Sequence, residues 1–386
     1  MTHLKILFLI LISGLFSSCS DAKPKADNSI PPSAGNVIDK ESGFIQQKIT
    51  ENLYVLKSTG YNTNIGVFIG AESLLLVDPM SGMNNHEALL STIKKLSGKP
   101  IKYVINTHNH MDHSGANSFF KQIGATSISQ ENAKYSRALT DITFKNTYTI
   151  DMGNEEVTLY HSIAHTFDDL LVHFKENNTV FMGDVYMTNS FPHFYYGGGS
   201  KGHLSIIDKA LALGNTNTVI VPAHGNLSSN KKELSTYREN SVKWINTIKR
   251  LYGDGKTSEE ISSSDQIKQL SLIFNDGRNV SEQSIKRTID KTISVDLIDN
   301  ISISESTINS YEGIYTYQNG QTDEIIYQDN TWILRSAGNY IFELTPLSET
   351  KFLLKGQFPN KYITFDLPKQ QFIHFNGKEN LIAVKD

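Results

Sequence analysis

Thr107-His108-Asn109-His110-Met111-Asp112-His113 places three imidazoles and one carboxylate between positions 108 and 113. The apolar run Ile101–Ile105 stands just before it and reads as a buried strand, so the cluster falls where a strand ends and a loop begins. Alternate residues leaving a strand point roughly the same way. His108 and His110 can therefore reach one point, while Asp112 and His113 can turn toward a second. Neutral imidazole is the commonest metal ligand, and carboxylate oxygen is the next hard donor available. A lone histidine here would be an ordinary solvated loop residue; His-x-His-x-Asp-His after a strand reads as a ligand set.

Three further motifs follow in order. His165 lies in Ser162-Ile163-Ala164-His165-Thr166, Asp184 in Phe181-Met182-Gly183-Asp184, and His224 in Val221-Pro222-Ala223-His224-Gly225. Together with the first cluster they resemble the signature of the metallo-β-lactamase-fold hydrolases, over roughly residues 49–227. The resemblance implies an α+β fold, an αββα sandwich with metal ligands on loops along one edge. It also implies a partition of the ligands. His108, His110 and His165 make one site, Asp112, His113 and His224 the second, and Asp184 bridges ions roughly 3.5–4 Å apart. Two divalent ions are implied. Zinc suits this nitrogen and oxygen donor set, and iron or manganese also tolerates it. Asp78, Thr107, Thr166 and Asp169 are candidates for supporting the ligating rings. Two departures from the family pattern stand here: Asp168 where Gly is common, and Pro79 after Asp78.

Two ions in one site bring the pKa of a shared water from about 15.7 toward about 7. The expected activity is hydrolysis of an ester-, thioester-, lactone- or lactam-like bond in a small molecule. Asp112 is the candidate catalytic carboxylate, orienting the attacking water and collecting its proton. β-Lactamases of this fold generally lack an Asp at the place of Asp184, and one subclass uses Cys there. The only cysteine of this chain is Cys19. The Gly183-Asp184 pair is more similar to the glyoxalase-type thioester hydrolases. A β-lactamase proper and an iron-dependent oxidoreductase on the same fold are the alternatives. A tethered binding protein with a structural metal fits less well, because structural zinc sites are four-coordinate and closed.

Residues 189–199 combine aromatics with the run Gly197-Gly198-Gly199. They read as a substrate-lining loop with a mobile wall, or as ordinary loop packing; His193 and Tyr195 are the candidate substrate contacts. His161, His173 and His374 read as structural. Ten of the twelve histidines lie between His86 and His224, which puts the chemistry in the first large domain. A net charge of −4 offers no basic surface for nucleic acid, and 39% hydrophobic with 20% charged residues is globular composition.

At the N-terminus Lys5 precedes the apolar run 6–12 and the small residues before Cys19. Residues 1–19 read as a signal peptide, too short for a membrane span, and resemble a bacterial lipoprotein signal. Cys19 would become the lipidated first residue, anchoring the chain to a membrane in the periplasm or cell envelope. Residues 20–42, with Pro24, Pro31 and Pro32, read as a flexible tether.

The metal-binding domain is expected over 43–228. Its strands fall at 53–56, 65–69, 74–77, 101–105, 125–129, 148–150, 157–160, 170–174, 179–182 and 218–221. Helices are expected from an Asn84 N-cap, at 115–122, at 131–139 and at 204–213. A helical extension, 229–300, starts at an Asn230 cap and includes a Thr257/Glu260 capping box. From 308 to 386 short β-prone runs and the hairpin signals Asn319-Gly320 and Asn376-Gly377 announce a small β domain. It is similar to the β domain appended to some secreted serine hydrolases and carries no ligand constellation.

Overall fold

The computed structural model describes residues 37–39 and 43–386, except 137–138, 329 and 337–339. Cys19, the signal segment and most of the expected tether 20–42 lie outside the described residues; Val37–Asp39, within that expected tether, is instead a strand paired with Phe44–Lys48. The described residues form one compact unit.

Two sheets make the first domain. In the eight-stranded sheet the strands pair in chain order: Val37–Asp39, Phe44–Lys48, Leu53–Ser58, Ile65–Ile69, Leu74–Val77, Ile101–Ile105, Thr126–Gln130 and Ile142–Phe144. The first five are antiparallel and the last three join in parallel. The six-stranded sheet contains Thr147–Asp151, Glu156–Ser162, Asp169–Phe174, Thr179–Phe181, Val219–Val221 and Ser229–Asn230.

Side-chain alternation explains how these sheets stack. Leu75 and Val77 face the second sheet, beside Leu53, Val55, Ile105 and Ile128. Leu74 and Leu76 face the other way, onto Leu89 and Ile93 of helix His86–Leu96 and Phe120 of helix Asn117–Gln122. In the second sheet Leu170, Val172 and Phe181 face inward, while Leu171, Val180 and Ile220 meet the helical layer. Strands buried on both faces need near-continuous apolar runs, which is what Leu74–Val77 and Asp169–Phe174 supply. The result is the α/β/β/α layering implied by the resemblance.

Helix Lys231–Gly253 starts where the Asn230 side chain accepts from the Glu233 amide at 3.0 Å. It buries Leu234, Tyr237, Trp244, Ile245 and Ile248 on the second sheet's outer face. Helices Ser258–Ser262, Asp265–Phe274 and Glu282–Asp296 pack on it, and the expected Thr257/Glu260 capping box is present.

Some boundaries differ from expectation. The described residues of the expected helix 131–139 are not α-helical; Glu131–Tyr135 is a short 3₁₀ helix, started by the Gln130 side chain accepting from the Asn132 amide at 2.6 Å. The first helix is preceded by Asn85, not Asn84, and that cap makes no side-chain bond to it. The helix expected at 204–213 begins earlier, at Gly199.

The C-terminal β residues close into an eight-stranded antiparallel barrel, entered through helix Glu305–Tyr311. Its strands run in order from Gly313–Tyr317 to Asn380–Lys385, and these two pair to shut it. Asn319-Gly320 and Asn376-Gly377 sit in hairpin turns as expected. Tyr311, Tyr315, Trp332, Phe352, Phe365 and Phe372 fill the interior, with Tyr311 stacked on Phe365 at 3.9 Å between centroids. No helix among the described residues is long and apolar enough to cross a membrane.

Candidate metal centre

Each candidate ligand stands just beyond the C-terminal end of a strand or in the loop between two. Thr107 to His113 follow Ile101–Ile105, and His110 leads into the short helix Met111–Ser114. His165 occupies the turn between Glu156–Ser162 and Asp169–Phe174. Asp184 sits in the 3₁₀ turn Gly183–Val185 after Thr179–Phe181, and His224 follows Val219–Val221.

Two four-donor groups result: His108, His110, His165 and Asp184 in one; Asp112, His113, Asp184 and His224 in the other. Nδ1 of His110 lies 3.0 Å from Nε2 of His108 and 3.1 Å from Nε2 of His165. Asp184 spans both groups. Its Oδ2 is 3.9 Å from His108 Nε2 and 3.5 Å from His165 Nε2, while Oδ1 is 3.3 Å from His113 Nε2 and 3.0 Å from His224 Nε2. Asp112 Oδ2 completes the second group, 3.6 Å from His113 Nε2 and 3.4 Å from His224 Nε2. Ligands about 2.0–2.1 Å from a tetrahedral ion are separated by roughly 3.3 Å, so these spacings fit one ion per group. His113 Nε2 and Asp184 Oδ1 are buried and lack a hydrogen-bond partner, as expected of atoms reserved for an ion.

The opposite ring nitrogens of His108, His113 and His224 are engaged, whereas Nδ1 of His165 is buried without a partner. Nδ1 of His113 donates to Asp78 Oδ2 at 2.9 Å. Asp78 also accepts from the Thr107 amide at 2.8 Å and the Thr107 hydroxyl at 2.6 Å. That hydroxyl oxygen is 3.3 Å from His108 Nδ1, which donates to it. Nδ1 of His224 donates to the Asn62 carbonyl at 3.1 Å. These bonds fix the tautomers and aim Nε2 of all three rings at the centre. Asp169 plays a different part from the expected ring support: its carboxylate accepts from the Thr166 amide at 2.8 Å and hydroxyl at 2.9 Å, holding the turn that carries His165. Asp168, where the family pattern has Gly, accepts from Asn109 Nδ2 at 3.0 Å and so braces the His-x-His loop. Asp78 itself has φ +48°, the left-handed region, just before Pro79.

Electrostatics separates the two groups. Burial, reinforced by the neighbouring imidazoles, holds His108 and His165 well below the ordinary histidine range, so both are neutral. Burial also opposes charge on His113, but the carboxylates of Asp78 and Asp184 outweigh it and raise this ring well above that range. His224 likewise resists burial through Asp112 and Asp184 and rises to about 9. Asp184 is held well below the usual carboxylate range: burial opposes ionisation, and His113 and His224 overcome it.

A model of the metallo-beta-lactamase superfamily matches residues 58–224. The chain carries a metallo-β-lactamase superfamily domain. A metallo-beta-lactamase type 2 from Elizabethkingia meningoseptica is 26% identical over 151 residues, 36% of this chain and 61% of the relative. A probable hydroxyacylglutathione hydrolase from Schizosaccharomyces pombe is 29% identical over 157 residues, 39% of this chain and 59% of the relative. The chain thus spans about three fifths of the length of each. Among solved structures, a stereoselective inverting sec-alkylsulfatase from Pseudomonas sp. superposes with TM-score 0.52 at 13% identity, over 69% of this chain and 53% of its own. That likeness concerns the fold.

Cavities open on both sides of the metallo-β-lactamase ligand cluster. One, of about 450 Å³, is lined by Tyr61, Thr63, Asp112, Asn189 and His224. Thr63 donates to the Asp112 carbonyl at 2.8 Å, holding that residue at the rim. The other, of about 310 Å³, reaches from Asn109, His110 and Thr166 to the barrel residues Tyr340, Phe342 and Lys361.

The aromatic loop of this domain departs from expectation. Tyr195 is 3% exposed in the helical-layer core and lines neither cavity; the ring that does is Tyr196, 5.6 Å from His110. His193 stacks on His165 at 5.8 Å, behind a candidate ligand rather than on a cavity wall. The glycine run forms no mobile wall. A Cβ on Gly197 would fall 2.3 Å from the Thr166 carbonyl oxygen, and one on Gly198 2.1 Å from that of Ile163, so these glycines allow tight packing. His161 donates to the Phe167 carbonyl at 2.9 Å, a structural bond as expected. Sequence reasoning missed Tyr196, Tyr340, Lys291 and Lys361, all brought to the site by long-range packing.

Proposed function

We propose that this protein is a dinuclear metallohydrolase, most simply with two zinc ions, that cleaves an ester-, thioester-, lactone- or lactam-like bond of a small molecule. The observation that carries this reading is Asp184 facing two three-ligand groups with its two oxygens, 3.0–3.9 Å from four imidazole nitrogens. A structural zinc site needs neither a shared carboxylate nor open cavities beside it. Bound ions would supply an acidified water and polarise the scissile carbonyl.

The chain's own residues do the rest. Three of the arms around Asp184, His113, His108 and His224, are fixed by Asp78, Thr107 and Asn62, which limits their reorganisation during reaction. Asp112, with a side chain 40% exposed at the rim of the larger cavity, is placed to orient a water there and accept its proton. The hydroxyacylglutathione hydrolase relative supports a thioester as the first substrate to try. A lipid anchor at Cys19, with export to the cell envelope, is part of the same reading and rests on the signal-like N-terminus. Metal analysis, with a screen of ester, thioester, lactone and β-lactam substrates, tests the function. Two zinc ions per chain and chelator-sensitive turnover are expected. Iron that cycles electrons with no hydrolysis would replace this reading with the oxidoreductase alternative.

A further inference from the structure

The smaller cavity joins two domains. Asn109, His110, Thr166 and Tyr196 come from the metal-binding side; Tyr340, Ile341, Phe342, Gln357 and Lys361 come from the barrel. The barrel is seated firmly there. The Gly356 amide donates to Ser294 Oγ at 2.9 Å, and a Cβ on Gly356 would collide with the Tyr195 carbonyl. The Tyr340 ring stands 6.0 Å from that of His110.

The charge of this cavity is one-sided. Its lining contains no carboxylate. Lys361, on barrel strand Lys361–Asp366, is half-buried, and among the described residues no acid pairs with it. Burial accordingly lowers its pKa. Behind Tyr196, Lys291 of helix Glu282–Asp296 is 7% exposed and donates to the tyrosine hydroxyl at 2.6 Å. It too has no acidic partner among the described residues, and burial with Arg287 nearby lowers it to about 8. An ammonium withdrawn from water without a counter-ion is costly, and folded proteins ordinarily pair it. One such group lining an acid-free cavity beside a candidate catalytic centre, with a second held behind its Tyr196 wall, is explained if the counter-charge is brought by a ligand. Around them Phe167, Tyr196, Tyr340, Ile341 and Phe342 offer an apolar slot whose size suits a small molecule.

We propose that the barrel is the recognition wall of the active site, and that the substrate is an organic anion. Its charged group lies against Lys361, with Lys291 adding to the field, and its apolar body lies between Tyr196 and Tyr340. This places the scissile bond toward His110 and Asp184. The inference rests on the dinuclear-hydrolase reading for the word substrate, but the anion site itself does not.

The test uses binding, which needs no turnover. Metal-loaded full-length protein is titrated calorimetrically with 3-phenylpropionate, benzyl phosphate and the uncharged 3-phenylpropanamide. At least one anion should bind ten-fold or more tighter than the amide; which one does so distinguishes a carboxylate from a phosphate ligand. Lys361→Met should shrink that preference at least ten-fold and Lys361→Glu should abolish it, with metal content and melting temperature near those of the parent. No preference in the parent, or a preference that survives both substitutions, overturns the proposal; survival would mean that the ions alone hold the anion. A parallel assay compares 4-nitrophenyl acetate with mono-4-nitrophenyl succinate. Turnover of both esters without anion preference in binding overturns the anion site and leaves the hydrolase reading standing. Lys361-dependent binding without turnover of either ester keeps the anion site and counts against the hydrolase reading.

Discussion

Oδ2 of Asp78 accepts from both Nδ1 of His113, at 2.9 Å, and the Thr107 hydroxyl, at 2.6 Å. One carboxylate oxygen thereby couples the orientation of a candidate second-site ligand to the start of the loop that carries the first-site ligands. The geometry explains why this position is an acid even though its backbone is left-handed and a proline follows.

Asp78→Ala should therefore weaken the second site more than the first. Removing a partner of this kind typically costs about 10–100-fold in metal affinity. Competition with a chromophoric chelator, read as two dissociation constants, checks this. Equal weakening of both constants would mean that Asp78 only holds the fold.

Asp112→Asn separates ligation from catalysis. The substitution lowers the charge of the second group, so its metal affinity should fall. It also removes the proton acceptor, a contribution typically worth 10²–10⁴-fold in rate. Excess metal should restore occupancy without restoring turnover. Near-normal turnover at full occupancy would make Asp112 a ligand alone.

The two groups should load with different pH dependence. His113 is raised and His224 lies at about 9 in the metal-free chain, so the second group carries protons at pH 7 that an ion must displace. His108 and His165 are already neutral there. As pH falls below about 9, affinity at the second group should fall by up to about ten-fold per pH unit for each proton released. The first group's affinity should stay nearly flat. Calorimetry in buffers of different ionisation enthalpy counts the protons; equal release from both sites would contradict the assignment.

Gly183→Ala should destabilise the chain. Gly183 has φ +56°, and a Cβ there would lie 2.8 Å from Thr107 Oγ1 and 2.9 Å from Thr107 Cβ. Strain of this kind costs about 1–3 kcal/mol. Denaturant unfolding should show a lower midpoint, and metal affinity should drop with it because Asp184 is the next residue. An unchanged midpoint would show that the turn relaxes freely.

The seven candidate ligands were legible because each sits in a short motif at a strand end, where a local pattern gives the direction of the side chain. The double-sided strands were legible for the same reason: Leu74–Val77 is apolar at every position. Legibility failed where the deciding contact is distant in sequence. Tyr195 and Tyr196 look alike in the chain, and only the loop's path, set by Gly197 against Thr166, sends one into the core and the other to the cavity. The early start of the helix at Gly199 was hidden because its first turn, Gly-Ser-Lys-Gly, has no apolar stripe. Barrel closure depends on pairing Tyr315 with Lys385, which no hairpin signal announces.

The division of the smaller cavity between two domains also orders events in time. All seven candidate ligands have left the ribosome once His224 has emerged, whereas Lys361 follows roughly 140 residues later, a delay on the order of ten seconds at usual elongation rates. A nascent chain in that interval has a full complement of metal donors and an unfinished pocket. Capacity to hold metal is thus written into the first part of the chain to appear, and discrimination among ligands arrives only with the last.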